Sequence, residues 1–173
     1  MRYIHCTQRL LKEINPNIDS SGEDRKVIGL GDWYSNIFSF TMKKNVLIFM
    51  NAKTLYSFFV TDIYRDDIDN FGKTFIYGMI NSLENNGFEK NIIKKIINEY
   101  PEIEIVKTKS RSILGSMNDH VDHYYSCFEK GNSSCIETIE EFNRSVVEIP
   151  MGALKFKTPL EALRELIKNE IYD

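Results

Sequence analysis

β-Branched and aromatic residues concentrate in four short runs near the start of the chain. The first run is Arg2–Cys6, and the others occupy residues 36–42, 46–50 and 55–61. Only short polar segments separate the last three runs, which predicts an antiparallel β-meander. Residues 46–50, VLIFM, are apolar throughout. Such a strand is typically central in its sheet and covered on both faces by helices.

Apolar residues recur at helical spacing in most of the remaining sequence. Helices are predicted to begin after the N-caps Thr7, Asp66 or Asp67, and Ser110, at Glu89, at Ser134 and after Thr158. Asn15-Pro16 should end the first helix and Gly87 the second. Residues 102–109 begin with alternating apolar and polar positions and predict a further strand. The whole pattern predicts an α+β fold, an antiparallel β-meander sheet packed by several amphipathic helices, with a helical C-terminal third.

The length of 173 residues favours a single domain. We expect residues 1–131 to form a core of sheet and helices, with residues 132–173 as a helical extension packed on it. Residues 17–31 are polar and rich in Ser, Gly and Asp, and they are predicted to be a loop. Gly29 and Gly31 form only a GxG within it, without the further glycines or the Lys-Ser/Thr ending of a phosphate-binding loop.

Composition and charge narrow the protein class. Hydrophobic residues make up 42% of the chain and charged residues 27%, as in a folded globular protein. The net charge of -3 argues against a surface that binds nucleic acid throughout. Three cysteines without CxxC spacing are expected to be free thiols in a reducing cytoplasm. The sequence shows no signal peptide or membrane-spanning run, so we expect a soluble cytoplasmic protein without a membrane partner.

Candidate binding chemistry concentrates in residues 107–122, KTKSRSILGSMNDHVD. Ser110 is a good N-cap for a helix that starts at Arg111. At 100° per residue the apolar side chains of this helix share one face, and the opposite face carries Arg111, Ser112, Gly115, Asn118, Asp119 and Asp122. The N–H groups of the helix start, with Lys107 and Lys109 nearby, would favour a phosphate or carboxylate. The alternative is a solvated polar face with good capping.

Two side-chain pairs are candidate sites for metal or nucleophile chemistry. His120 and His123 are three residues apart on the same helix, which converges less well than the spacing of four in metal-binding helices, and no metal site is expected. His5 and Cys6 are adjacent in a strand and point to opposite faces, so they cannot easily form a nucleophile pair. We expect no catalytic residue and no cofactor.

Three motifs, HCTQRLLKEI, LGDWYSNIF with the following NVLIFMNAKTLYSF, and KTKSRSILGSMND, resemble an uncharacterised domain-of-unknown-function family of low-GC bacterial genomes and mobile elements. The resemblance covers roughly residues 1–128 and implies a compact α+β domain without a known activity. The matching motif positions are Cys6, Thr7, Leu11, Trp33, Asn36, Lys53, Thr54, Lys107, Arg111, Ser112, Gly115, Asn118 and Asp119. Separately, the tail NRSVVEIPMGALKFKTPLEAL is similar to the C-terminal segment of some insertion-sequence transposases.

Two functional hypotheses follow. The favoured one is a non-catalytic interaction protein, such as a regulator, inhibitor or immunity-type partner of another protein, encoded on a mobile element. The alternative is a phosphate- or nucleic-acid-recognising protein or enzyme that uses the polar helix face, with Trp33 and Tyr34 as stacking residues. The candidate residues for a ligand or partner are Trp33, Tyr34, Lys107, Lys109, Arg111, Ser112, Gly115, Asn118, Asp119 and Asp122.

Overall fold

A computed structural model describes residues 1–14, 28–41, 44–129 and 136–170. The strands in these ranges are β1 (Arg2–Cys6), β2 (Trp33–Thr41), β3 (Lys44–Asn51), β4 (Ser57–Ile63) and β5 (Ile103–Lys107). The helices are α1 (Gln8–Ile14), α2 (Arg65–Asp69), α3 (Phe71–Asn85), α4 (Lys90–Ile97), α5 (Arg111–Phe128), α6 (Ile139–Val146) and α7 (Pro159–Glu170). No helix in the described ranges is long and apolar enough to cross a bilayer.

The five strands form one mixed sheet in the order β4-β3-β2-β1-β5. The predicted meander is present, because β3 pairs antiparallel with both β2 and β4. The expectation of a purely antiparallel sheet is wrong, since β1 pairs in parallel with both β2 and β5. Parallel pairing joins strands that are distant in sequence, so local hydrophobic patterns do not reveal it.

Helices cover both faces of the sheet. Successive residues of β2 point to opposite sides. On one side, the ring centroid of Trp33 lies 5.3 Å from that of Phe75 in α3. On the other, the Phe38 centroid lies 5.4 Å from that of Tyr124 in α5. Residues 46–50 of β3 are buried between these layers, as their unbroken apolar run predicts.

Several helix boundaries differ from the predictions. Asn70 separates α2 from α3 where one helix was expected, and Asp66 and Asp67 lie in the first turn of α2, where the Asp67 carboxylate accepts from the N–H of the N-cap residue Tyr64. α6 begins at Ile139, where the capping box of Thr138 and Glu141 satisfies the first backbone donors. A start at Ser134 lies outside the described residues, as do the predicted stop at Asn15-Pro16 and residues 17–27 of the predicted loop.

The C-terminal third is helical only in part, since residues 147–158 connect α6 to α7 without α-helix. α6 packs on β4, and Phe142 and Val146 are fully buried. The N–H of Leu160 donates to the carbonyl of Val147, and Leu163 of α7 is also fully buried. The connection is therefore fixed at its end by the start of α7.

Candidate functional site

α5 has the two faces that its sequence predicts. The Ser110 hydroxyl accepts a hydrogen bond from the N–H of Ile113 at 3.3 Å, which caps the helix. Met117, Val121 and Tyr124 are buried against the sheet. The opposite side is exposed at Arg111, Ser112, Gly115, Asn118, Asp119 and Asp122.

A groove of about 590 Å³ runs between this helix and residues 149–153. We call it the α5 groove. Its helical wall consists of Ser112, Gly115, Ser116, Asp119, His120 and His123. Three of the predicted candidate residues, Ser112, Gly115 and Asp119, therefore lie together on one concave surface.

The remaining candidates on this stretch lie outside the groove lining. β5 ends at Lys107, so Lys107, Lys109 and Arg111 are not side chains of one strand. All three are exposed around the start of α5. Asn118 and Asp122 are also exposed on the helix. This side of α5 is thus divided between the groove and a solvated surface.

Trp33 and Tyr34 are buried on opposite faces of the sheet. The Trp33 indole N–H donates to the Tyr100 hydroxyl at 2.8 Å, and the Tyr34 ring stacks on His5 with centroids 4.6 Å apart. Burial raises the pKa of Tyr34, while the charge of Lys109 and the Ser110 N–H oppose this shift. Neither ring lines the α5 groove, and neither presents a face to solvent.

His120 is the most deeply buried polar residue described in the groove lining, with 3% of its surface exposed. Its Nδ1 lies 2.8 Å from the Ser57 hydroxyl, and its Nε2 has no hydrogen-bond partner within the described residues. If Ser57 donates to Nδ1, the neutral ring carries its proton on Nε2 as an unsatisfied donor. A buried donor without an acceptor lowers the stability of the folded state by about 1–3 kcal/mol.

The ring of His120 is neutral at physiological pH. Burial lowers the pKa of His120 to about 4, and the neighbouring charge of His123 contributes in the same direction. The partner hydroxyl of Ser57 is fully buried. The pair therefore has the composition of a nucleophile and its base, but its oxygen is closed to an external substrate.

His123 extends the polar side of the groove towards the end of α5. Its Nε2 lies 3.8 Å from Cys127 Sγ, and its ring packs against Phe142 with centroids 5.5 Å apart. Histidine, cysteine and acidic residues of the described ranges form no group of three that could hold a metal ion. The His123 ring is thus held by packing against Phe142 and by one weak contact with the Cys127 sulfur.

The opposite wall continues into a tight turn over residues 151–157, the 151–157 turn. The N–H groups of Leu154 and Phe156 both donate to the carbonyl of Met151, and the N–H of Met151 donates to the carbonyl of Lys157. Lys155 and Phe156 adopt left-handed backbone conformations with φ of 54° and 65°. The Phe156 side chain is 80% exposed. The turn thus presents a phenylalanine to solvent beside the groove.

Two glycines leave open space at this site. A Cβ built on Gly115 or on Gly152 meets no heavy atom within 4 Å. One glycine lies on each wall of the groove. The backbone can therefore be approached more closely here than beside a larger side chain.

Sequence reasoning missed the second wall. The sequence predicts no helix or strand over residues 148–157, and the available signal was Phe156, an aromatic residue between two lysines. The hydrogen bond between His120 and Ser57 joins residues 63 positions apart, so it has no local sequence signature.

Comparison with known proteins extends the sequence resemblance without adding an activity. The family model described as Domain of unknown function (DUF6933) matches residues 3–162. No curated protein and no solved structure matches the chain. The expectation of an uncharacterised domain family is confirmed. The match continues beyond residue 128 and includes both walls of the α5 groove.

Proposed function

The chain belongs to this domain-of-unknown-function family, and from the geometry of its surface we propose that it is a non-catalytic protein-binding module. The observation that carries the proposal is the 80% exposure of Phe156 on a turn with two consecutive left-handed residues. Such a module would act as a regulator, an inhibitor or an immunity-type partner of another protein, encoded on a mobile element.

Both the backbone conformation and the solvent exposure of Phe156 are unfavourable. A non-glycine residue in a sparsely populated backbone region costs about 1–3 kcal/mol, and Lys155 adds a second such residue. A phenylalanine at this exposure also gains little from burial in the folded chain. Strained backbone of this kind concentrates at functional sites, and aromatic residues are common anchors of protein interfaces. A partner that buries the Phe156 ring would account for both features.

The surface beside Phe156 suits a protein partner. The N–H of Phe156 donates to the backbone carbonyl of Met151, a residue that lines the α5 groove. Ile149 in the same wall is 36% exposed. The helical wall across the groove is mainly polar. An apolar anchor next to a polar-lined cleft is the usual arrangement of a binding surface.

The buried nucleophiles support binding rather than catalysis. Ser57 and Cys6 are both fully buried. Burial raises the pKa of the Cys6 thiol, which favours the unreactive protonated form. The partly exposed Cys127 thiol lies 3.8 Å from His123 Nε2, which is longer than the hydrogen bond between a nucleophile and its base.

The alternative of phosphate or nucleic-acid recognition has weaker support. Exposed Lys107, Lys109 and Arg111 surround the start of α5, which favours an anion. The expected stacking residues Trp33 and Tyr34 are buried, however. Recognition of single-stranded nucleic acid without sequence preference relies on exposed aromatic platforms, so this alternative lacks its central feature.

Site-specific photo-crosslinking would test the proposal. A benzophenone amino acid replaces Phe156 in one protein and Tyr77 in a matched control, since Tyr77 is 67% exposed on α3. We expect one partner protein to crosslink at position 156 and not at position 77. The identified partner is then purified, and its affinity is measured for the wild type, for Phe156→Asn and for Tyr77→Asn.

Phe156→Asn should weaken partner binding by roughly tenfold or more, because anchor residues contribute about 2 kcal/mol or more. The same change should raise the free energy of unfolding, since asparagine accepts a left-handed backbone more readily than phenylalanine. Tyr77→Asn should leave the affinity unchanged. Equal crosslinking at both positions, or unchanged affinity of Phe156→Asn, would refute the proposed role of this turn.

A further inference from the structure

We propose that the α5 groove binds an extended peptide segment of the partner, which places a backbone carbonyl on His120 Nε2 and a lysine or arginine beside Asp119. This inference rests on the proposed protein-binding function and names the chemistry that the groove recognises. It concerns a different surface from Phe156, so the two proposals can fail separately.

His120 Nε2 lacks a hydrogen-bond partner that a bound peptide could supply. Ser57 holds Nδ1 at 2.8 Å, and Nε2 is left without a partner among the described residues. With Ser57 donating, Nε2–H requires an acceptor. An extended peptide supplies backbone carbonyl oxygens at regular intervals, and pairing with one of them would satisfy the donor. Because Nε2 is buried in the structure, binding would require a small displacement that exposes this atom to the groove.

The charge of the groove is the second argument. Among the described residues that line it, Asp119 is the one aspartate, glutamate, lysine or arginine. Burial lowers the pKa of His120, so its ring adds no positive charge at neutral pH. A lysine or arginine on the peptide would therefore be attracted by the Asp119 carboxylate, whereas an acidic side chain would be repelled.

The shape of the groove is the third argument. Gly115 and Gly152 leave open space on opposite walls, so a bound backbone can lie close to both. Ile149, Pro150 and Met151 supply apolar contacts along one side. A chain that passes between the two glycines would lie beside Asp119 and His120, which occupy the helical wall.

NMR titration of the full chain would test the inference. The probes are two degenerate octapeptide pools that differ only in a fixed central residue, lysine in one and glutamate in the other. We expect the lysine pool to shift the amide signals of Gly115 and Gly152 and the ring nitrogens of His120. The glutamate pool should cause smaller shifts at equal concentration.

Three variants define the site. Gly115→Leu fills the open space and should weaken binding of the lysine pool by roughly tenfold or more. Ser126→Leu adds the same side chain at an exposed position of α5 outside the groove lining and should have no effect. Asp119→Asn should remove the preference for lysine over glutamate while some binding remains.

The outcomes separate this inference from the proposed function. Absence of shifts with the lysine pool, equal binding by Gly115→Leu, or shifts confined to other surfaces would refute the peptide groove. If a partner still depended on Phe156, the protein-binding function would stand without it. If the pools bound in the groove but no partner crosslinked at position 156, the groove would stand and the role of the 151–157 turn would fail.

Discussion

The side-chain amide of Asn143 makes both of the hydrogen bonds that a neighbouring strand would make to Phe59. Its Oδ1 accepts from the Phe59 N–H at 2.8 Å, and its Nδ2 donates to the Phe59 carbonyl at 3.0 Å. Phe59 lies in β4, an edge strand of the sheet. One helical side chain thus closes part of an edge that could otherwise pair with another chain.

Replacement of Asn143 by alanine should destabilise the protein and open this edge. Loss of both bonds leaves a backbone donor and acceptor of a buried strand residue unsatisfied, so we expect about 2–4 kcal/mol of lost stability. Urea unfolding measures this change, and size-exclusion chromatography at increasing concentration detects association. Asn81→Ala, an exposed position on α3, is the control. Equal stability of the two variants would show that the amide bonds contribute little.

The same glycine-to-alanine change should have opposite effects in α3 and α5. A Cβ on Gly78 would lie 2.6 Å from a ring carbon of Phe58 and 2.9 Å from Val60, whereas a Cβ on Gly115 meets nothing within 4 Å. Gly78→Ala should therefore cost about 1–3 kcal/mol through overpacking. Gly115→Ala should raise the free energy of unfolding by about 0.5–1 kcal/mol, because alanine has a higher helix propensity than glycine. Thermal and urea unfolding of both variants test this, and an equal sign for the two changes would contradict it.

His120 should make stability depend on pH in the mildly acidic range. Its folded-state pKa of about 4 lies below the ordinary 6.5, so the unfolded chain takes up the proton first as pH falls. The contribution of the neutral His120 ring to the free energy of unfolding is fully present above pH 6.5 and is lost as pH falls towards about 4. The full loss is on the order of 3 kcal/mol.

The variant His120→Asn isolates this contribution, since asparagine can still bond Ser57 and does not titrate. Urea unfolding between pH 7 and pH 4 should show a shallower decline for His120→Asn than for the wild type. His123→Asn should retain most of the steep decline, because burial is the main cause of the His120 shift. Parallel curves for the wild type and His120→Asn would exclude His120 as the titrating group.

The single tryptophan should report on the bond between Trp33 and Tyr100. Tyr100→Phe removes the hydroxyl that accepts from the indole N–H and donates to the carbonyl of Gly31. We expect a loss of about 1–3 kcal/mol in stability and fluorescence emission at a shorter wavelength, because the buried indole loses its polar partner. Tyr77→Phe, at an exposed ring, should leave the spectrum unchanged. An unaltered emission maximum in Tyr100→Phe would contradict this reading.

Local pattern was sufficient to predict most elements. The alternation and apolar runs located the meander strands, and the Ser110 cap located the start of α5. The break at Asn70 was not predicted, because the apolar stripe continues from Ile68 to Phe71 across it. The place of β1 between β2 and β5 also had no local signal, since it depends on pairing between distant segments.

The candidate site was predicted on one wall only. The helical period placed Ser112, Gly115 and Asp119 on one face of α5, and the groove contains all three. The other wall comes from residues 149–153, whose position depends on how α6 and α7 pack. Trp33 was expected at the site as a stacking residue, but its bond to Tyr100 holds it in the core.

The position of β1 also has a consequence for how fast the chain folds. β1 pairs with β2, which begins at Trp33, and with β5, which ends at Lys107, roughly 100 residues after the end of β1. The second pairing closes a long loop, and its entropic cost must be met before the contacts form. During synthesis, β1 to β4 emerge well before β5, so one edge of β1 stays unpaired until residue 107 is available. Completion of the sheet should therefore be a late and slow event, and in that interval the nascent chain presents an open strand edge.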